Sequence, residues 1–168
     1  MILKSIILKD YMDLHWKYRN KYLKTKGRLV RIFYYIFVKR IELKYNAETG
    51  ISFHDKSAKF ESRPIFPHGL NGIVISRRAV IGKKCTILQQ VTIGTKITSE
   101  KAVLEDDMKA PIVGDNVYIG AGAKVIGNII IGNNVLIGAN AVVTKNVPDN
   151  YTVIGNPSIM FPTKNKYR

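Results

Sequence analysis

The stretch Val113-Gly114-Asp115-Asn116-Val117-Tyr118-Ile119-Gly120-Ala121-Gly122-Ala123-Lys124-Val125-Ile126-Gly127-Asn128-Ile129-Ile130-Ile131 decides the fold. An aliphatic residue stands at every sixth position, at Val113, Ile119, Val125 and Ile131. Outward from there the register continues to Ile137 and Val143, and it is also present upstream at Ile75, Ile81, Ile87 and Ile93. Four residues after the leads a small or β-branched residue recurs: Ala79, Cys85, Val91, Val117, Ala123, Ile129, Val135, Ala141 and Val147. Glycine directly follows the lead at Gly82, Gly94, Gly114, Gly120, Gly132 and Gly138.

A sustained period of this kind belongs to a solenoid, in which each unit buries its apolar face only by stacking on its neighbours. A β-sandwich would instead alternate with period two between irregularly spaced turns. The spacing predicts a triangular coil with three hexapeptides to a turn. The lead aliphatic points inward, the small residue sits where two sides converge, and Gly or Asn takes up the corner geometry. Between Ile93 and Val113 the register slips, because 113 − 93 = 20 is not a multiple of six. A polar loop at about residues 95–112 therefore leaves the coil, and long loops on rigid scaffolds often carry function.

The chain changes character near residue 50. Upstream, helical spacing runs from about Ile6 to Trp16 and from about Arg28 to Leu43, with Lys24-Thr25-Lys26-Gly27 as the break. Residues 1–48 thus read as a basic α-helical segment, 49–160 as the coil domain and 161–168 as a basic C-terminal tail. The chain carries a net charge of +15, which favours anionic partners without choosing among them. For the basic, aromatic helices the first reading is a cap on the open end of the solenoid that also joins an oligomer interface. Peripheral attachment to an acidic membrane surface is the second. Nucleic-acid binding is not expected, since no recognised module accompanies the charge.

The single cysteine, Cys85, excludes an internal disulfide framework and falls at a small inward position, so it reads as core. The longest apolar run, Ile32 to Val38, is well short of the roughly 20 residues of a spanning helix. No secretory signal is expected at the N-terminus, and the predicted location is the cytoplasm, with the inner membrane face as an option.

Three histidines are present, His15, His54 and His68. His15 falls in the first helix and reads as structural or exposed. His68 lies in Ile65-Phe66-Pro67-His68-Gly69-Leu70-Asn71-Gly72-Ile73-Val74-Ile75, directly before the regular register. This stretch, with Gln90-Val91-Thr92-Ile93-Gly94-Thr95, Ile119 to Asn128 and Gly155-Asn156-Pro157, resembles the serine acetyltransferase branch of the left-handed β-helix hexapeptide-repeat acyltransferases. Within that branch the chain looks most like the smaller enzymes that O-acetylate sugars of capsules and other surface polysaccharides. The implied fold is mainly β, a left-handed parallel β-helix of hexapeptide repeats with a short α-helical N-terminal segment.

The resemblance implies acetyl-CoA as acyl donor, no metal, a carbohydrate acceptor and a homotrimer with active sites between subunits. It assigns the general base to His68. A near-neutral imidazole suits removal of a hydroxyl proton as the oxygen attacks the thioester carbonyl. A backbone N–H near Gly69 or Gly72 is the expected oxyanion donor. For the donor it carries over Gly94, Thr95, Gly120, Ala121 and Ala139 along successive coils, with Thr144, Lys145 and Lys164 toward the CoA phosphates.

Two departures bear on the acceptor. Serine acetyltransferases carry a second active-site histidine in an Arg-His-Pro-Lys pattern at the end of the loop, whereas here the stretch is Lys109-Ala110-Pro111-Ile112. Their Asp-Ile-His-Pro pattern is matched by Ser52-Phe53-His54-Asp55, leaving Asp55, Glu61 or a backbone carbonyl to orient His68. The expected reaction is direct O-acetylation of a sugar hydroxyl, with serine O-acetylation or amino-sugar N-acetylation as alternatives on the same fold. A three-histidine zinc enzyme and a non-catalytic scaffold are the readings from other classes.

Overall fold

A computed structural model describes residues 2–52, 57–96 and 109–163. Helix α1 spans Ile2–Lys24 and α2 spans Arg28–Lys44. The first helix runs eight residues beyond the expected end at Trp16, since no Gly or Pro interrupts it before Gly27 and Tyr22 is fully buried.

The rest is a coil of very short strands that closes into three parallel faces, the triangular coil expected from the repeat and the left-handed β-helix implied by the resemblance. Face one stacks β1 (Glu48–Thr49), β3 (Val74–Ile75), β6 (Thr92–Gly94), β9 (Lys124–Ile126) and β12 (Val142–Val143). Face two stacks β2 (Lys59–Phe60), β4 (Val80–Ile81), β7 (Ile112–Val113) and β10 (Ile130–Ile131). Face three stacks β5 (Thr86–Ile87), β8 (Tyr118–Ile119), β11 (Leu136–Ile137) and β13 (Tyr151–Ile154), and ends on the antiparallel β14 (Ile159–Pro162).

The pairing register gives the period directly. Ile75 pairs with Ile93 and Val125 with Val143, one turn of 18 residues (93 − 75). Across the slip in the repeat, Ile81 pairs with Val113 and Ile87 with Ile119, 32 positions apart (113 − 81). The additional 14 residues (32 − 18) fall between Gly94 and Ile112, and residues 97–108 lie outside the described residues. All ten lead aliphatics are at most 1% exposed, and the small residues four positions on join the same core. Burying each Ile of that column contributes about 2–3 kcal/mol.

Two details differ from the sequence reading. Val147, read as a follower of Val143, bridges the lead residue Ile131 and so acts as a lead itself, because the final turn is 16 residues (147 − 131) instead of 18. The glycines after the leads do not make the corners. Positive φ falls two residues further on, at Lys84, Asn116, Gly122, Asn134 and Asn140. Gly82, Gly114, Gly120 and Gly132 serve close stacking instead: a Cβ at Gly114 would stand 2.7 Å from Asn133 Oδ1 and 2.9 Å from the Gly132 carbonyl oxygen.

The helical pair covers the first turn of the coil. Tyr22 Oη donates to the Ser52 carbonyl at 2.6 Å, Arg19 Nη2 to the Ala58 carbonyl at 2.7 Å, and Trp16 packs edge-on to Phe60. Burial lowers the Arg19 pKa to about 10 against the opposing pull of Glu42. His15 is fully buried, with Thr49 Oγ1 3.4 Å and the Glu42 carboxylate 3.6 Å away, which settles it as structural. The expected cap on the open end is thus observed in a single copy.

Candidate active site

His68 occupies a tight turn that leads from the Ile65 bridge into β3. Leu70, fully buried, and Phe66, packed on the coil core, anchor the turn from within, and His68 between them is exposed. Gly69 N–H donates to the Phe66 carbonyl at 3.1 Å and Gly72 N–H to the Tyr45 carbonyl at 2.9 Å. The amides of Gly69 and Gly72 themselves are therefore both engaged within the protein. The expected oxyanion donor near Gly69 or Gly72 is thereby narrowed to a backbone N–H other than these two. Among the described residues no side chain orients the imidazole. Glu61 is exposed with only its backbone N–H engaged, on the Ile81 carbonyl, and His54 and Asp55 lie outside the described residues.

The edge between faces three and one carries His68 at its start. There Gln90 N–H donates to the Asn71 carbonyl, Gly122 N–H to the Gln89 carbonyl and Asn140 N–H to the Ala121 carbonyl, at 2.8–3.0 Å. Gly120, Ala121 and Ala139 belong to this edge. Gly120 is required by packing alone, since a Cβ would come within 2.6 Å of the Ala139 nitrogen. Ala139 is exposed.

Gly94, Thr95, Thr144 and Lys145 stand on the next edge, between faces one and two. Gly127 N–H donates to the Gly94 carbonyl at 2.9 Å, and Thr144 and Lys145 are exposed. A Cβ at Gly94 would meet the movable end of Ile126 at 3.2 Å and the Thr92 methyl at 3.7 Å and no backbone atom within 4 Å, unlike the tightly stacked glycines above. Arg77 and Arg78 occupy the same edge one turn earlier. The residues carried over for the donor thus divide between two edges of one prism, with face one between them. Lys164 lies outside the described residues.

Gln89 is a residue the sequence reading passed over. It stacks between Asn71 and Ala121 on the histidine's edge, and its Oε1 is buried without a hydrogen-bond partner among the described residues. Its signal was a polar side chain in the second half of a hexapeptide, which the period by itself does not distinguish from a solvated corner. Ala110, where the resemblance expects a second histidine, is 7% exposed and part of the apolar core. Cys85 is buried with its Sγ 3.2 Å from the Gly114 carbonyl, and burial pushes its thiol pKa up. Among the described residues no three His, Cys, Asp or Glu side chains are grouped to hold a metal ion.

Comparison with known proteins matches this architecture. Residues 110–145 fit the family described as bacterial transferase hexapeptide, six repeats. The chain is 46% identical over 112 residues to a serine acetyltransferase of Synechocystis, covering 67% of this chain and 42% of the relative. A serine acetyltransferase of Staphylococcus epidermidis is 37% identical over 153 residues, covering 90% of this chain and 66% of the relative. The crystal structure of Neisseria gonorrhoeae serine acetyltransferase superposes with a TM-score of 0.69 at 28% identity, over 93% of this chain and 54% of that one. This chain therefore spans 42–66% of the length of these relatives.

Proposed function

The chain carries the hexapeptide repeat of the bacterial transferases and is homologous to serine acetyltransferases, and from that premise we propose that it is an acetyl-CoA-dependent O-acetyltransferase acting in the cytoplasm. The observation that carries the proposal is His68, exposed on a rigid turn at the head of the edge where Ala121 and Ala139 stack. His68 takes the proton of the acceptor hydroxyl as its oxygen attacks the thioester carbonyl. The C–O bond forms, the C–S bond breaks, and the imidazolium returns the proton to the departing CoA thiolate. Direct transfer is favoured, because the one thiol is buried and held protonated.

Donor binding is assigned to Gly94, Thr95, Gly120, Ala121 and Ala139, with Thr144 and Lys145 toward the phosphates. Their division between two edges supports a homotrimer, in which one subunit's histidine edge meets the other edge of its neighbour. Ile112 and Ile130, 47% and 55% exposed on the outer side of face two, offer apolar surface for such an assembly.

L-serine is the first acceptor reading, because the relatives described above are serine acetyltransferases. A sugar hydroxyl is the second, on one observation: Ala110 supplies a buried methyl where the serine-type site is expected to have an imidazole. The role in surface-polysaccharide synthesis expected from sequence has no counterpart among those relatives.

The test is CoA release from acetyl-CoA with L-serine, amino sugars, free sugars, nucleotide sugars and oligosaccharides, using the native chain and His68→Ala. Turnover on one acceptor, reduced at least about a hundredfold in the variant, is expected of a general base. Turnover on serine selects the first reading and turnover on a sugar alone selects the second. An undiminished variant removes His68 from the mechanism.

A further inference from the structure

The outer side of α2 presents apolar residues to solvent along its whole length. Leu29 is 81% exposed, Phe33 53%, Ile36 51% and Leu43 78%, at spacings of four, three and seven that keep them on one helical stripe. The stripe runs roughly 21 Å at the ordinary helical rise. The opposite side of the helix is satisfied: Val38 and Ile41 are buried and Glu42 is held by Lys39 and Thr49. The stripe is therefore surplus to the cap's own packing.

Its electrostatic setting is one-sided. Residues 17–40 contain nine Lys and Arg and no Asp or Glu, and residues 1–48 carry twelve basic against four acidic residues, +8 of the chain's +15. Arg28 and Arg40, both exposed, flank and interrupt the apolar stripe. The only acidic residue of α2, Glu42, is buried on the far side. A second copy of α2 laid antiparallel on this face would set the basic ends of the two helices, Arg28 and Lys44, against each other with no α2 acid on the face, so self-association is electrostatically disfavoured. Hydrophobic side chains at headgroup depth with guanidinium groups reaching outward suit a flat, negatively charged lipid surface. No helix among the described residues is long and apolar enough to cross a bilayer, so the mode is lying on the surface.

We propose that the outer face of α2 docks this protein on an anionic phospholipid surface, through Leu29, Phe33, Ile36 and Leu43 with Arg28 and Arg40. The experiment is co-sedimentation of the full chain with phosphatidylcholine vesicles and with vesicles containing roughly one-third phosphatidylglycerol. Bound protein should be at least about tenfold greater on the anionic vesicles and fall when salt is raised to about 0.5 M. Phe33→Glu/Ile36→Glu should reduce anionic binding at least about tenfold, with thermal midpoint and oligomeric state unchanged because both side chains are exposed. Arg40→Glu is the milder second variant and should reduce it several-fold. Absent or lipid-indifferent binding overturns the proposal, as do variants that bind like the native chain. A change of oligomeric state in the double variant would instead make this face a subunit contact, and would overturn it equally.

Discussion

The carboxylate of Glu42, on α2, accepts the backbone N–H of Thr49 at 2.9 Å and also the Thr49 hydroxyl, joining the helical cap to the first strand of the coil. Burial pushes this carboxyl's pKa up, but the adjacent His15 imidazole and the hydrogen bonds from Lys39 and Thr49 outweigh it and hold the pKa at about 2, against an ordinary 4.5. A depressed carboxylate pKa stabilises the fold above the unfolded value, and the stabilisation is lost as pH falls through the folded value. The window is therefore pH 4.5 down to about 2, and the contribution is of order 3 kcal/mol. Glu42→Gln should lose roughly 2–4 kcal/mol at neutral pH and show a flatter decline below pH 4.5. Urea unfolding followed by far-UV circular dichroism at pH 7, 4.5 and 3 measures both. A variant as steeply acid-sensitive as the native chain would exonerate Glu42.

The glycine column is a packing device, which separates it from glycines used for conformation. At Gly114 an added Cβ meets backbone atoms of Gly132 at 2.9 Å, which have no rotamer by which to yield. Gly114→Ala should cost about 1–3 kcal/mol, while Gly27→Ala, with nothing within 4 Å of its Cβ, should be close to neutral. Thermal denaturation of the pair makes the comparison internal, and equal midpoints would refute the stacking role.

Asn134 combines two demands. Its φ is +55°, and its side chain accepts from Asn116 Nδ2 at 2.8 Å and donates to Asn150 at 3.1 Å. Asn134→Ala should lose about 1–2 kcal/mol through left-handed strain and the broken ladder. Asn134→Gly keeps the conformation and should lose under about 1 kcal/mol. Equal losses in denaturant melts would assign the cost to the ladder, which both variants break alike.

Cys85 provides a test of chemistry by exclusion. Burial raises its thiol pKa, so thiolate is scarce at neutral pH. A disulfide reagent should leave the native thiol unlabelled at pH 7.5 and titrate one thiol in urea. Cys85→Ala should retain acetyl transfer within about twofold, as a residue outside the reacting groups does. Loss of activity in a variant that still folds would return Cys85 to the mechanism.

The repeat was legible from sequence because its cause is local. Each lead aliphatic answers to the equivalent residue one turn away, so the same residue class must recur wherever coils stack, and Ile75 to Val143 do so. The slip of 20 between Ile93 and Val113 likewise announced its loop, since register is a property of counting. What lay beyond counting was which positions meet. Val147 became a lead only because the last turn closes two residues early. Of the Gly or Asn read at the corners, the asparagines two places after the lead glycines do turn there, together with Lys84, Gln90 and Gly122, whereas the lead glycines answer to the backbone of the next turn.

At the candidate site, sequence by itself determined the fold, the hexapeptide period and the identity of His68 as the histidine poised before the coil. Tertiary structure alone decided that Gly69 and Gly72 engage their amides within the protein, that Gln89 stands on the histidine's edge, and that the donor residues divide between two edges. The physical reason is that stacking repeats a composition the chain must write out in order. Hydrogen-bond partners and prism edges arise only when distant turns close on one another.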